Sequence, residues 1–130
     1  MLRFFLLSGS LLGGVGVAAG AFGAHGLKAI LDATGRADNW ETAFRYCLYH
    51  SLAVLTIAVL TALPQAQPAR GLLHAAGWCF LIGTLIFSGC LAALALSGVK
   101  ILGAIVPIGG ALFLVGWALV AAAALRMRDT

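Results

Sequence analysis

The stretch LLHAAGWCFLIGTLIFSGCLAALAL, residues 72–96, carries no Asp, Glu, Lys or Arg. A helix rises 1.5 Å per residue, so about 20 apolar residues cross a hydrocarbon core of roughly 30 Å. This stretch is long enough to do so. Working outward, three more runs meet the same criterion: residues 4–24 and 101–125 have no charge, and residues 44–63 have only Arg45, near the start. Composition agrees, with 62% hydrophobic and 9% charged residues and a mean hydropathy of +1.06. Soluble domains carry about 25% charged residues, so a water-soluble monomer is excluded.

Lipid admits only structures that satisfy their own backbone, namely helices and closed barrels. The four runs are too long for barrel strands and do not alternate, which predicts an all-α polytopic membrane protein, a bundle of four transmembrane helices. The whole chain reads as a single transmembrane domain. In the first run, Arg3 and the small residues Ala19-Gly20-Ala21 resemble a signal peptide. That apolar run exceeds the 7–15 residues of a signal core, so it reads as a retained span.

The first connection is the longest. Leu27, Ile30 and Leu31 share a helical face while Lys28 and Asp32, four apart, take another, predicting a short interfacial helix that Gly35 ends. Asp38, three residues before Glu41, is expected to start the next helix, with Trp40 in the aromatic belt. Pro64 and Pro68 mark the second connection, and 97–100 the third, a tight turn. His74, near Arg70, reads as interfacial.

Four spans put both termini and the second connection on one side with Arg3, Arg70, Arg126 and Arg128, against Lys28, Arg36, Arg45 and Lys100 on the other. Basic residues tie, and Asp32, Asp38 and Glu41 dilute the second side; the reading is both termini in the cytoplasm of a bacterial inner (plasma) membrane. The net charge of +4 is scattered over span ends, so a nucleic-acid partner is not expected. The lipid bilayer is the expected partner, with a homo-oligomer or a larger membrane complex as protein partners.

Glycine supplies the packing signal. Gly9 and Gly13 are four apart, as are Gly16, Gly20 and Ala24, suggesting two small-residue stripes that pack closely within the chain, with a second subunit as the alternative for one of them. Gly109 and Gly110 follow Pro107, where a kink is expected.

The second span carries the most informative face. Trp40, Ala43, Tyr46, Cys47 and His50 fall within a sector of roughly 120°, and His50 lies about 9 Å inside the span. An ionisable group at that depth is expected to face protein, here the first, third or fourth span. His25, Ser88, Lys100 and Pro107 belong to the same end, so the candidate polar site comprises His25, Trp40, Tyr46, Cys47, His50, Ser88, Lys100 and Pro107. Cys47, Cys79 and Cys90 read as small buried hydrophobes rather than a disulfide set.

The strings Gly20-Ala21-Phe22-Gly23-Ala24-His25-Gly26-Leu27, then Trp40, Thr42, Ala43, Tyr46 and His50, then Phe87-Ser88-Gly89, Pro107-Ile108-Gly109-Gly110 and Gly116-Trp117 resemble one family. It is the four-span family catalogued as domain of unknown function 423, whose animal members are called transmembrane protein 256. The resemblance covers essentially the whole chain. It differs at Cys90, where the family has a small hydroxyl residue, and at Val106, which replaces a common threonine. The resemblance implies a membrane protein without an established activity.

Three readings follow. The first is a structural or interaction component packing through glycine-rich faces. The second is an ion, proton or small-molecule pathway through His25, His50 and Tyr46. The third is metal or haem binding by His25, Cys47 and His50. No cofactor is expected, and enzymatic chemistry is not: the chain has no paired-carboxylate site, H-E-x-x-H, G-x-S-x-G or phosphate loop. Gly26-Leu27-Lys28 and Gly98-Val99-Lys100 hint at an internal repeat, but three residues read as coincidence.

Overall fold

A computed structural model describes residues 1–128. Its elements are α1 (Leu2–Ala24), α2 (Lys28–Thr34), α3 (Ala37–Ala62), a 3-10 turn (Pro64–Ala69), α4 (Arg70–Ser97) and α5 (Ile101–Ala124). α1, α3, α4 and α5 are each long and apolar enough to span a membrane. The four spans run alternately up and down.

Local chemistry accounts for the boundaries. Gly35 ends α2 at φ 64°, and Gly98 ends α4 at φ 73°, where its N–H reaches the Leu94 carbonyl. Both need the left-handed region that glycine enters without a Cβ penalty. α3 starts earlier than expected: Ala37 is its first residue, and Asp38 lies inside the first turn, where its carboxylate meets the positive end of the helix dipole. α5 continues unbroken through Pro107. Proline there removes one N–H donor without ending the helix, as spans tolerate when their neighbours hold them.

α3 and α4 form the central pair; α1 lies along α3, and α5 along α4. α1 and α5 occupy opposite faces of that pair. On α3, Leu48, Ser51 and Leu55 meet α1, whereas His50 meets Phe113 of α5. The outer helices expose most of their surface, as lipid-facing spans do.

Helices in lipid gain little from the hydrophobic effect, so close dispersion contact and interhelical hydrogen bonds must hold them. Glycines provide the contact. A Cβ at Gly9 would stand 2.9 Å from Leu55, one at Gly16 2.8 Å from Leu48, and one at Gly20 3.2 Å from Phe44. Gly13 sits over Ser51. The two stripes expected on α1 are therefore one face, and α3 covers it. Seven residues make nearly two turns, so Gly9 and Gly16 fall within about 20° of each other. On the other side, a Cβ at Gly109 would lie 2.6 Å from the Phe87 backbone nitrogen, so α4 and α5 cross backbone to backbone.

Two arginines clasp the central pair. Arg36, at the start of α3, donates from Nε to the Ala95 carbonyl at the end of α4, 2.8 Å away. Arg70, at the start of α4, donates to the Thr61 carbonyl at the end of α3, 3.0 Å away. Each cation satisfies a last-turn carbonyl and meets the negative end of the neighbouring dipole.

Candidate functional site

α3 organises the polar residues, and it divides them. Its α1-facing edge carries Trp40 and Cys47. The indole Nε1 of Trp40 donates to the Ala19 carbonyl at 2.9 Å, and the Cys47 thiol to the Leu12 carbonyl at 3.4 Å. Gly23 lets the indole in: a Cβ there would stand 2.5 Å from Nε1.

The opposite edge carries Tyr46 and His50. His50 is 4% exposed and its Nδ1 lies 2.9 Å from the Tyr46 carbonyl, so that nitrogen bears the proton and donates. The imidazole stacks on Phe113 with centroids 3.5 Å apart and planes at 8°. Phe80 and Trp117 stand around it, while the exposed Tyr46 packs against Phe87 with centroids 4.7 Å apart and planes tilted by 30°. Nε2 is buried without a partner. The sequence reading did not include Phe80 and Phe113, and it met Trp117 only as part of the family resemblance. Their signal was spacing: Phe80 and Phe87 are seven apart on α4, and Phe113 and Trp117 four apart on α5.

The eight candidate residues thus form no single site. His25, Lys100 and Pro107 are exposed. α1 and α3 pair antiparallel, Gly20 against Phe44 and Gly23 against Trp40, which puts His25 beyond Trp40 and about 16 Å along the axis from His50. Lys100 lies past the end of α4, and Pro107 on the outside of α5. The metal set of His25, Cys47 and His50 is not assembled, because Cys47 turns to α1 and His50 to α5. Among the described residues no group of three His, Cys, Asp or Glu could hold a metal ion. The relay of His25, His50 and Tyr46 is likewise reduced to the neighbouring pair Tyr46 and His50.

Ser88 has a separate setting. α1 and α4 touch near one end, where the Phe5 ring occupies the space a Cβ of Gly77 would need and Phe4 packs on Trp78 at 5.0 Å. Farther along they diverge, and a cleft of about 180 Å³ opens between them with α3 as its floor. Trp40, Ala43 and Cys47 form the floor; Val15 and Gly16 line one wall, and Thr84 and Ser88 the other. Thr84 is satisfied by the Phe80 carbonyl at 2.7 Å. Ser88 is 8% exposed, and its hydroxyl has no partner.

These features define the class: a small polytopic helical membrane protein whose polar groups are gathered on a central helix hairpin. A family model described as "Protein of unknown function (DUF423)" matches residues 19–110. The chain is similar to a UPF0382 membrane protein of Staphylococcus epidermidis, 39% identical over 96% of this chain and 98% of the relative. A UPF0382 membrane protein of Staphylococcus haemolyticus is 40% identical over 89% and 90%. YwdK of Bacillus subtilis, also a UPF0382 membrane protein, is 33% identical over 96% and 98%. The protein belongs to the DUF423 family. No solved structure matches it.

Proposed function

We propose that this protein is a non-enzymatic structural component of the bacterial plasma membrane, acting by packing beside other spans, either its own copies or those of a larger complex. One observation carries the reading: four polar side chains of the central hairpin are spent on holding helices together. Trp40, Cys47, Arg36 and Arg70 each donate to a carbonyl of a different helix. Groups committed in this way stabilise an assembly and are not available for proton transfer or substrate binding.

The inward glycines are used within the chain, so the association surface is the lipid-facing side of α1. Ser10, Gly14 and Ala18 are exposed there at four-residue spacing, and a Cβ at Gly14 meets nothing within 4 Å. A second backbone could approach closely on such a face. A photo-crosslinking residue at Leu11 or Gly14, in the native membrane, is expected to yield a protein adduct. Adducts to lipid alone at both positions would refute the reading.

We also assign the termini to the cytoplasm. Lys28 is paired with Asp32 at 2.8 Å, Arg45 with Glu41, and Arg36 is held on Ala95, which leaves Lys100 as the main positive charge opposite the termini. The termini side carries Arg3, Arg126 and Arg128, and the Arg128 N–H donates to the Gln65 carbonyl at 3.2 Å, keeping Arg128 beside the second connection. Ser97→Cys should label from outside intact cells, and Gln67→Cys only after permeabilisation; the reverse pattern would invert the assignment.

A further inference from the structure

We infer that the connection between α4 and α5, with the Arg36 guanidinium laid across it, is a binding site for the phosphodiester of an anionic phospholipid. The inference goes beyond the structural role proposed above and stands independently of it.

The site begins with an arginine whose open end is free. The clasp on the Ala95 carbonyl uses Nε alone, and among the described residues Nη1 and Nη2 make no hydrogen bond. Neither is among the buried unpaired atoms, which belong to His50, Gln65 and Ser88, so the fork keeps accessible surface. It is also fixed in place. The guanidinium rests on Gly98, where a Cβ would overlap Nη1 and stand 3.2 Å from Cζ. An arginine held on both sides has already given up much of the rotamer freedom that a ligand would otherwise have to remove.

Charge singles out the same place. On this side of the membrane Lys28 is paired with Asp32 and Arg45 with Glu41, and these are the ion pairs among the described residues. Arg36 and Lys100 have no carboxylate partner, and Asp38, two residues along from Arg36, pairs with neither. Lys100 is exposed and follows Gly98 by two residues. Its Cα therefore lies within about 7.6 Å of that glycine's, and its flexible stem brings the ammonium to the same anion. Lys100 also precedes the first turn of α5, whose dipole presents its positive end there.

Depth decides the source of the anion. α3 has 26 residues and α4 has 28, so at roughly 39 and 42 Å they outrun a 30 Å hydrocarbon core by about 4–6 Å at each end. Arg36, just before α3, and Gly98, just after α4, stand in the headgroup layer, where phosphodiesters are the abundant anions. A guanidinium fork meets a phosphate through two parallel N–H···O bonds. The headgroup is anionic rather than zwitterionic, because a choline or ethanolamine would set its cation against Lys100, and residues 98–100 offer no carboxylate to receive it.

The test is native mass spectrometry of the full-length protein, delipidated in mild detergent and titrated with phosphatidylglycerol or with phosphatidylcholine of the same chains. Phosphatidylglycerol is expected to bind saturably and more tightly. Arg36→Gln should weaken that binding about tenfold, the scale of a hydrogen bond to a charged group. Because Arg36 also clasps α4, Lys100→Glu supplies an independent arm: Lys100 is exposed and outside the clasp, and reversing its charge should weaken binding about fivefold. Lys28→Gln removes one charge from the same side and should leave the affinity unchanged. Equal binding by the parent and all three variants would overturn the site, leaving only non-specific lipid association. A loss in Arg36→Gln with Lys100→Glu unchanged would overturn it as well, assigning the effect to the broken clasp. Equal affinity for phosphatidylcholine would overturn the anionic class, and displacement by inorganic phosphate would overturn a lipid as the source.

Discussion

Gly109 and Gly110 are adjacent in sequence, yet substitution by alanine should move stability in opposite directions. A Cβ at Gly109 would stand 2.6 Å from the Phe87 nitrogen and 2.8 Å from the Gly83 carbonyl oxygen. Both are backbone atoms of α4, so no rotamer change relieves the overlap and the helices must separate. Overpacking costs about 1–3 kcal/mol, with the upper end expected where backbone has to move. Alanine recovers at most about 1 kcal/mol of helix propensity, leaving Gly109→Ala roughly 1–2 kcal/mol less stable. At Gly110 the new methyl meets only the Phe87 ring, at 3.8 Å, an ordinary contact. Propensity acts alone there, and Gly110→Ala should gain about 0.5–1 kcal/mol. The gap of about 2 kcal/mol or more is a factor of roughly thirty in the folding equilibrium. Reversible unfolding in mixed micelles with increasing SDS, followed by tryptophan fluorescence, measures it. Equal midpoints for the two variants would refute the crossing geometry at Gly109.

Trp40→Phe keeps the aromatic body but loses the donor to Ala19, so a loss of about 0.5–1.5 kcal/mol is expected in the same titration; no change would mean the bond contributes nothing. His50→Phe preserves the stack on Phe113 and removes the unpartnered Nε2, and the variant should be as stable as the parent or up to about 1 kcal/mol more so. A clear loss there would show that Nε2 has a partner in the membrane. Arg36→Met should fray the last turn of α4 while leaving the middle of the pair intact. Faster hydrogen exchange at Gly98 and Val99, with residues 76–84 unchanged, would report it.

The four spans, the interfacial helix and both glycine stops were legible because they depend on length, hydropathy and single-residue conformational preferences. The division of the polar face was not. Cys47 and His50 are only about 60° apart around α3, well inside the sector that reads as one surface, yet α4 packs between them, with α1 on the Cys47 side and α5 on the His50 side. Which neighbour meets which edge depends on how the helices are arranged around α3, and periodicity within α3 holds no information on that. Arg36 and Arg70 were hidden for a related reason: a basic residue at a span end reads as a headgroup anchor, and only the partner helix shows that it caps a carbonyl. The α1 glycines were recognised as packing residues, but their shared face became clear only once α3 was seen to cover it.

The arginine clasps also bear on biogenesis. Both are internal to the hairpin formed by α3, the 3-10 turn and α4, and the Arg36 clasp can close only after Ala95 has left the ribosome. Neither clasp needs α1 or α5, so the hairpin carries within itself the contacts that latch both its ends.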